Sequence, residues 1–109
     1  MTRAALKQAL DSTNLPFAHF GWAKNAAELR ADHGVYAEDD ELALFANNGH
    51  GERVEQGTID YYTRDDSGTP KTTIEDALDS YGVPYYLSSI QFEDDTGFVH
   101  YEWVYEVLG

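Results

Sequence analysis

The last quarter of the chain constrains its fold most. Residues 85–93, YYLSSIQFE, and 98–107, FVHYEWVYEV, are aromatic-rich extended stretches separated by DDTG at 94–97. Asp and Gly at such a junction supply turn chemistry, so the pattern predicts an antiparallel hairpin. In the second stretch Val99, Tyr101, Trp103, Tyr105 and Val107 alternate onto one side. A side that apolar has to be covered, and residues 69–84, TPKTTIEDALDSYGVP, offer the cover. Ile74, Ala77, Leu78 and Tyr81 follow the i, i+3, i+4, i+7 spacing of one helical stripe. Pro70 suits a first helical position, Thr72 and Glu75 match a capping box, and Gly82 with Pro84 closes the helix.

Upstream, residues 3–12, RAALKQALDS, place Ala5, Leu6, Ala9 and Leu10 on one face of a second helix, which Asn14 and Pro16 end. Residues 15–32 have no regular period; they read as an irregular segment with Phe17, Phe20 and Trp22 anchored inward and a helical turn at 25–30. HGVYAED and ELALFANN read as short strands separated by the acidic cluster Glu38, Asp39, Asp40 and Glu41, and NNGHG at 47–51 reads as a turn. RVEQGTIDYYTRDD reads as a strand with Ile59 and Tyr61 on one side and Asp60 and Tyr62 on the other. Gly57 within it marks a bulge or a close backbone approach. The order predicts a single α+β domain over residues 1–109: a mainly antiparallel sheet of four to five strands with two helices packed on one face.

Charge and composition narrow the function. Twenty Asp and Glu against seven Lys and Arg give a formal charge of −13, a field that repels phosphate backbones, so direct nucleic-acid binding is not expected. The chain has no cysteine, which removes disulfides, thiolate chemistry and Cys-ligated zinc. No apolar run approaches the roughly 18 residues of a membrane span, and MTRAALKQAL lacks the apolar core of a signal peptide. A soluble protein with no membrane partner is expected.

No catalytic frame emerges. Ser80, Ser88 and Ser89 lack a G-x-S-x-G setting, and His19, His33, His50 and His100 form no H-x₃-H or HExxH pair. AEDDELA, TRDDSG and FEDDTG lack the ligand spacing of a calcium loop, and NNGHGE lacks the elements of a phosphate cradle. The expectation is a non-enzyme with no cofactor and no catalytic or metal residues. What needs explaining is the aromatic load of eight Tyr, five Phe and two Trp. Part of it fills the core. Tyr and Trp also serve interfaces, because they offer stiff contact area with a polar handle. Tyr62, Phe98, His100 and Val104 fall on the side opposite the covered one and make up the expected contact surface, with Asp39 and Asp40 as an acidic rim.

Four stretches together resemble a family of small tail proteins of siphophages and prophages: tail completion, tail terminator or tail-to-head joining proteins. They are the N-terminal helix ending in NLPFAHFGW, the extended HGVYAEDDELALFANN, the strand GTIDYYTRDD, and the helix and hairpin TTIEDALDSYGVPYYLSSIQFEDDTGFVHYEWVYEV. The chain departs from the family's pattern in its acidity and in EDDE at 38–41. The resemblance implies a structural subunit of the virion, assembled in the host bacterial cytoplasm, that acts at the head-proximal end of the tail. Its partners would be other tail or neck proteins and copies of itself in a ring, and tail termination and head-tail joining both stay open. A runner-up is an acidic soluble binding module, such as an inhibitor or DNA mimic.

Overall fold

The computed structural model describes residues 2–19, 31–41 and 54–108; the side chains of residues 39–41, 54 and 108 lie outside that description. Its elements are α1 (Arg3–Ser12), β1 (Phe17–His19), β2 (His33–Glu41), β3 (Val54–Thr63), α2 (Thr69–Ser80), β4 (Tyr85–Glu93) and β5 (Phe98–Leu108). The strands form one sheet in the order β1-β2-β3-β5-β4. β1 pairs with β2 in parallel and every other neighbour is antiparallel. The class is therefore the expected α+β, with two helices over five strands. The sheet is mixed because Phe17–His19 is a short strand and not part of an irregular segment.

The alternation in β5 decides which face is covered. Tyr101, Trp103, Tyr105 and Val107 are buried together with Ile59 and Tyr61 of β3, and Leu6, Ala9 and Leu10 of α1 with Ile74 and Leu78 of α2 complete this core. Thr2 caps α1, its hydroxyl accepting from the Ala5 amide at 3.2 Å, and Asn14 ends the segment at φ 61°, in the left-handed region that Asn tolerates.

Three expectations need correction. Tyr81 leaves the buried stripe: it caps the C-terminus of α2 and is 37% exposed. The capping box does not form either, since Gly68 is the N-cap and Pro70 sits at the second helical position. Glu75 is drawn away to a stronger use. One of its carboxylate oxygens accepts from Trp103 Nε1 at 2.9 Å and the other from Lys71 Nζ at 2.9 Å, so it docks α2 onto the sheet. Finally, the acidic cluster does not separate two strands. β2 runs through it to Glu41, and the register slips between Glu38 and Asp40, leaving Asp39 as an extra residue. Phe20, Trp22, the expected turn at 25–30, the stretch from Leu42 onward and NNGHG lie outside the described residues.

Two polar ties bind the periphery to the sheet. Arg3 of α1 pairs with Glu55 of β3 and lies 3.5 Å from Glu38 of β2, whose other oxygen is 2.7 Å from His19 Nε2. Burial pushes the Glu38 carboxyl up, but the His19 hydrogen bond and the Arg3 charge outweigh it and hold it below the ordinary value. The second tie is Thr63, fully buried at the end of β3, whose hydroxyl donates to Asp32 Oδ2 at 2.6 Å while Asp32 Oδ1 accepts from the Arg64 amide at 3.2 Å. Asp32→Ala strands that buried hydroxyl and is expected to cost about 1–3 kcal/mol in urea denaturation, with Asp32→Asn costing less because one acceptor survives.

Candidate functional site

The uncovered face of the sheet carries the outward residues of β3 and β5. Tyr62 lies across from His100 in the register, and their rings stack with centroids 4.2 Å apart. His33 of β2 stacks on the other side of Tyr62 at 4.7 Å. Phe98 meets His33 and Tyr62 edge-on at 5.5 and 6.2 Å, and the Arg64 guanidinium covers the Phe98 ring at 4.1 Å. Beneath the stack, His100 Nε2 is 2.7 Å from Asp60 Oδ1, and Nδ1 is 4.0 Å from Glu93.

The structure thus brings Tyr62, Phe98 and His100 together. It sets Val104 further along β5, opposite Tyr86 of β4. The side chains of Asp39 and Asp40 lie outside the described residues. Phe98 was expected as a contact residue and is instead 3% exposed, packed between Arg64 and the rings, so it offers no apolar surface to a partner. The aromatic density on this face is largely internal packing.

The His100–Asp60 pair has the geometry of a base and its orienting acid, and among the described residues Tyr62, Glu93 and Glu102 surround it. The hydrogen bond to Asp60 raises the His100 pKa against the opposing effect of burial. Burial, then the nearby charges of Asp60, Glu93 and Glu102, raise that of Tyr62, which stays neutral near pH 7. Among the described residues no three His, Asp or Glu side chains are grouped to hold a metal ion. The pair is a stabilising contact. A raised folded-state pKa means that its contribution is fully present below the unfolded value of about 6.5 and is lost as pH rises through the folded value. The stability difference between the wild type and His100→Gln is therefore expected to be largest at pH 6 and to shrink by pH 9, read from urea midpoints at both. Among the described residues, Asp60, Glu93, Glu102 and Tyr62 are the titratable groups facing this ring.

The exposed apolar surface lies elsewhere. Among the described residues the exposed large side chains are Tyr81, Tyr86, Ile90 and Phe92, and three of these four belong to β4. β4 is the end strand of the sheet. Tyr86, Ile90 and Phe92 are 60, 54 and 64% exposed, and residues 85–92, YYLSSIQF, carry no charge in a chain of net charge −13. A hollow of about 160 Å³ lined by Pro84, Tyr85, Tyr86, Val104 and Glu106 adjoins the strand. It is smaller than the roughly 300–1,000 Å³ of ordinary small-molecule sites.

Ile90 and Phe92 were absent from the sequence-based contact set, although a signal for them existed. Tyr85 and Leu87 pair with Tyr105 and Trp103 on the helix face, and a register slip between Leu87 and Ser89 shifts the alternation by one residue. Ile90 and Phe92 then lie across from Tyr101 and Val99 on that same face. The three-residue step from Leu87 to Ile90 is the trace that the bulge leaves in the sequence. Ser88 is held at the bulge by its hydroxyl, which donates to Glu102 Oε1 at 2.6 Å.

The chain matches no protein-family model, and no curated protein is significantly similar to it.

Proposed function

We propose that this chain is a non-enzymatic structural subunit of a phage or prophage particle, acting at the head-proximal end of the tail by assembly with its neighbours. The observation that carries the reading is the concentration of exposed apolar side chains on one end strand whose residues 85–92 carry no charge. An uncovered strand edge presents unpaired backbone groups, and natural chains normally blunt such edges with charge. Leaving eight residues uncharged on this one is the mark of a strand meant to be covered. The four sequence stretches that resemble small tail proteins direct the assembly reading toward the neck or tail end, as terminator or as joining protein.

The acidic-mimic reading is less well supported. A phosphate mimic needs carboxylates presented outward in an array, whereas on the open face of the sheet Asp60 is engaged by His100 and Glu102 by Ser88. The test is location. Particles induced from the strain that encodes the chain, labelled with gold-conjugated antibody to it, are expected to carry label at the head-tail junction. Purified particles without label would overturn the reading.

A further inference from the structure

The hydrogen-bond phase of β4 specifies more than an open edge. The Glu106 amide donates to the Pro84 carbonyl at 3.1 Å, which fixes the alternation along β5. Glu106, Val104, Glu102, His100 and Phe98 turn their backbone groups to β4, while Tyr105, Trp103, Tyr101 and Val99 turn theirs to β3. The β4 residues opposite the second set are Tyr85, Leu87, Ile90 and Phe92, so these four direct their N–H and C=O groups away from the sheet. Their spacing is two, three, two, with the bulge in the middle step. That spacing reads the same in both directions.

We propose that two copies of this chain pair antiparallel through β4 about a twofold axis between Ser88 and Ser89. In that register Tyr85 faces Phe92 of the second copy and Leu87 faces its Ile90, and each outward backbone group meets another. The two bulges fall opposite each other at the axis, so the irregularity that would spoil pairing with a regular strand is matched by its own copy. Residues facing each other across an antiparallel pair lie on one side of the sheet, so exposed Ile90 and Phe92 pack against the half-buried Leu87 and Tyr85 of the other copy. Charge directs a second copy to this strand over other surfaces. Two chains of net charge −13 repel, and the overlap of residues 85–92 with themselves adds no close like-charge contact. A basic foreign partner would gain its attraction at the acidic surfaces and nothing at this strand. The pairing deepens the assembly reading above without depending on a role in a particle.

Cysteine cross-linking tests the register, because the chain has no cysteine of its own. Tyr86 and Gln91 are both exposed, and the proposed pairing sets each opposite the other in a non-hydrogen-bonded pair, where Cα atoms lie about 4.5 Å apart, within disulfide range. The double variant Tyr86→Cys/Gln91→Cys is expected to oxidise to a covalent dimer on the order of a hundredfold faster than either single variant, since its partner thiol is held in place. Equal rates for the double and single variants, or no dimer from the double variant, would overturn the proposal. Light scattering gives a second reading: the wild type is expected at twice the monomer mass and Ile90→Lys/Phe92→Lys at the monomer mass with an unchanged circular dichroism spectrum. A monomeric wild type at every concentration counts against the pairing while leaving the gold-labelling result unaffected.

Discussion

Trp103→Ala is expected to remove about 3–5 kcal/mol of stability, a large part of the roughly 5–15 kcal/mol of a domain this size. Trp103 is fully buried on the covered face of β5, among Tyr101 and the other core residues. Its removal opens a cavity beneath both helices, and it also deletes the indole donor to Glu75 Oε2. Glu75 keeps Lys71, but the tie between α2 and the sheet is gone. Trp103→Phe separates the two effects, since it retains most of the volume and loses the donor, at an expected cost of about 1–3 kcal/mol. Urea unfolding followed by circular dichroism checks both, with a midpoint drop of about 2 M for alanine. A loss under about 1 kcal/mol for Trp103→Ala would mean that the helices are not packed on this residue.

Gly57→Ala is the second large effect, and it works by overfilling. A Cβ at Gly57 would come within 2.3 Å of the Tyr105 ring and hydroxyl and 2.6 Å of the Ala37 carbonyl oxygen. The ring cannot swing aside, because Tyr105 is 1% exposed within the core, and the carbonyl belongs to β2, whose Glu38 pairs with Gly57. Relief therefore requires β3 to shift against both β2 and β5. The expected cost is at the upper end of the usual 1–3 kcal/mol for overpacking, with faster amide hydrogen exchange across the β2–β3 ladder. An unchanged exchange pattern with near-wild-type stability would contradict the close approach.

Much of this fold was legible in the sequence, and the exceptions have physical causes. The period-two alternation of β5 and the helical stripe of α2 each name one buried face, and DDTG between two apolar stretches leaves little but a hairpin. Gly57 was readable as a bulge or a close approach, and it is the close approach. β1 was not legible because three residues, FAH, are too few to show a period, and its pairing with β2 is non-local. The capping box misled because Thr72 and Glu75 carry the right chemistry at the right spacing, while Trp103, far along the chain, competes for Glu75 and wins.

The candidate surface was half legible. The cluster of Tyr62, Phe98 and His100 was anticipated as a group, but alternation gives the side of a strand and not what covers it. Arg64 and His33 seal Phe98, and neither is adjacent to it in sequence. For Ile90 and Phe92 strict period two names the open face beside Tyr86, and the bulge instead turns them to the helix face at the sheet's edge. The exposed apolar strip thus lies on β4 and not on β5.

Electron microscopy of particles from which this gene has been deleted tests the assembly role most directly. The account predicts DNA-filled heads beside detached tails, with overlong tails identifying a terminator and tails of normal length a joining protein. Intact, infectious particles from the deletion strain would contradict it.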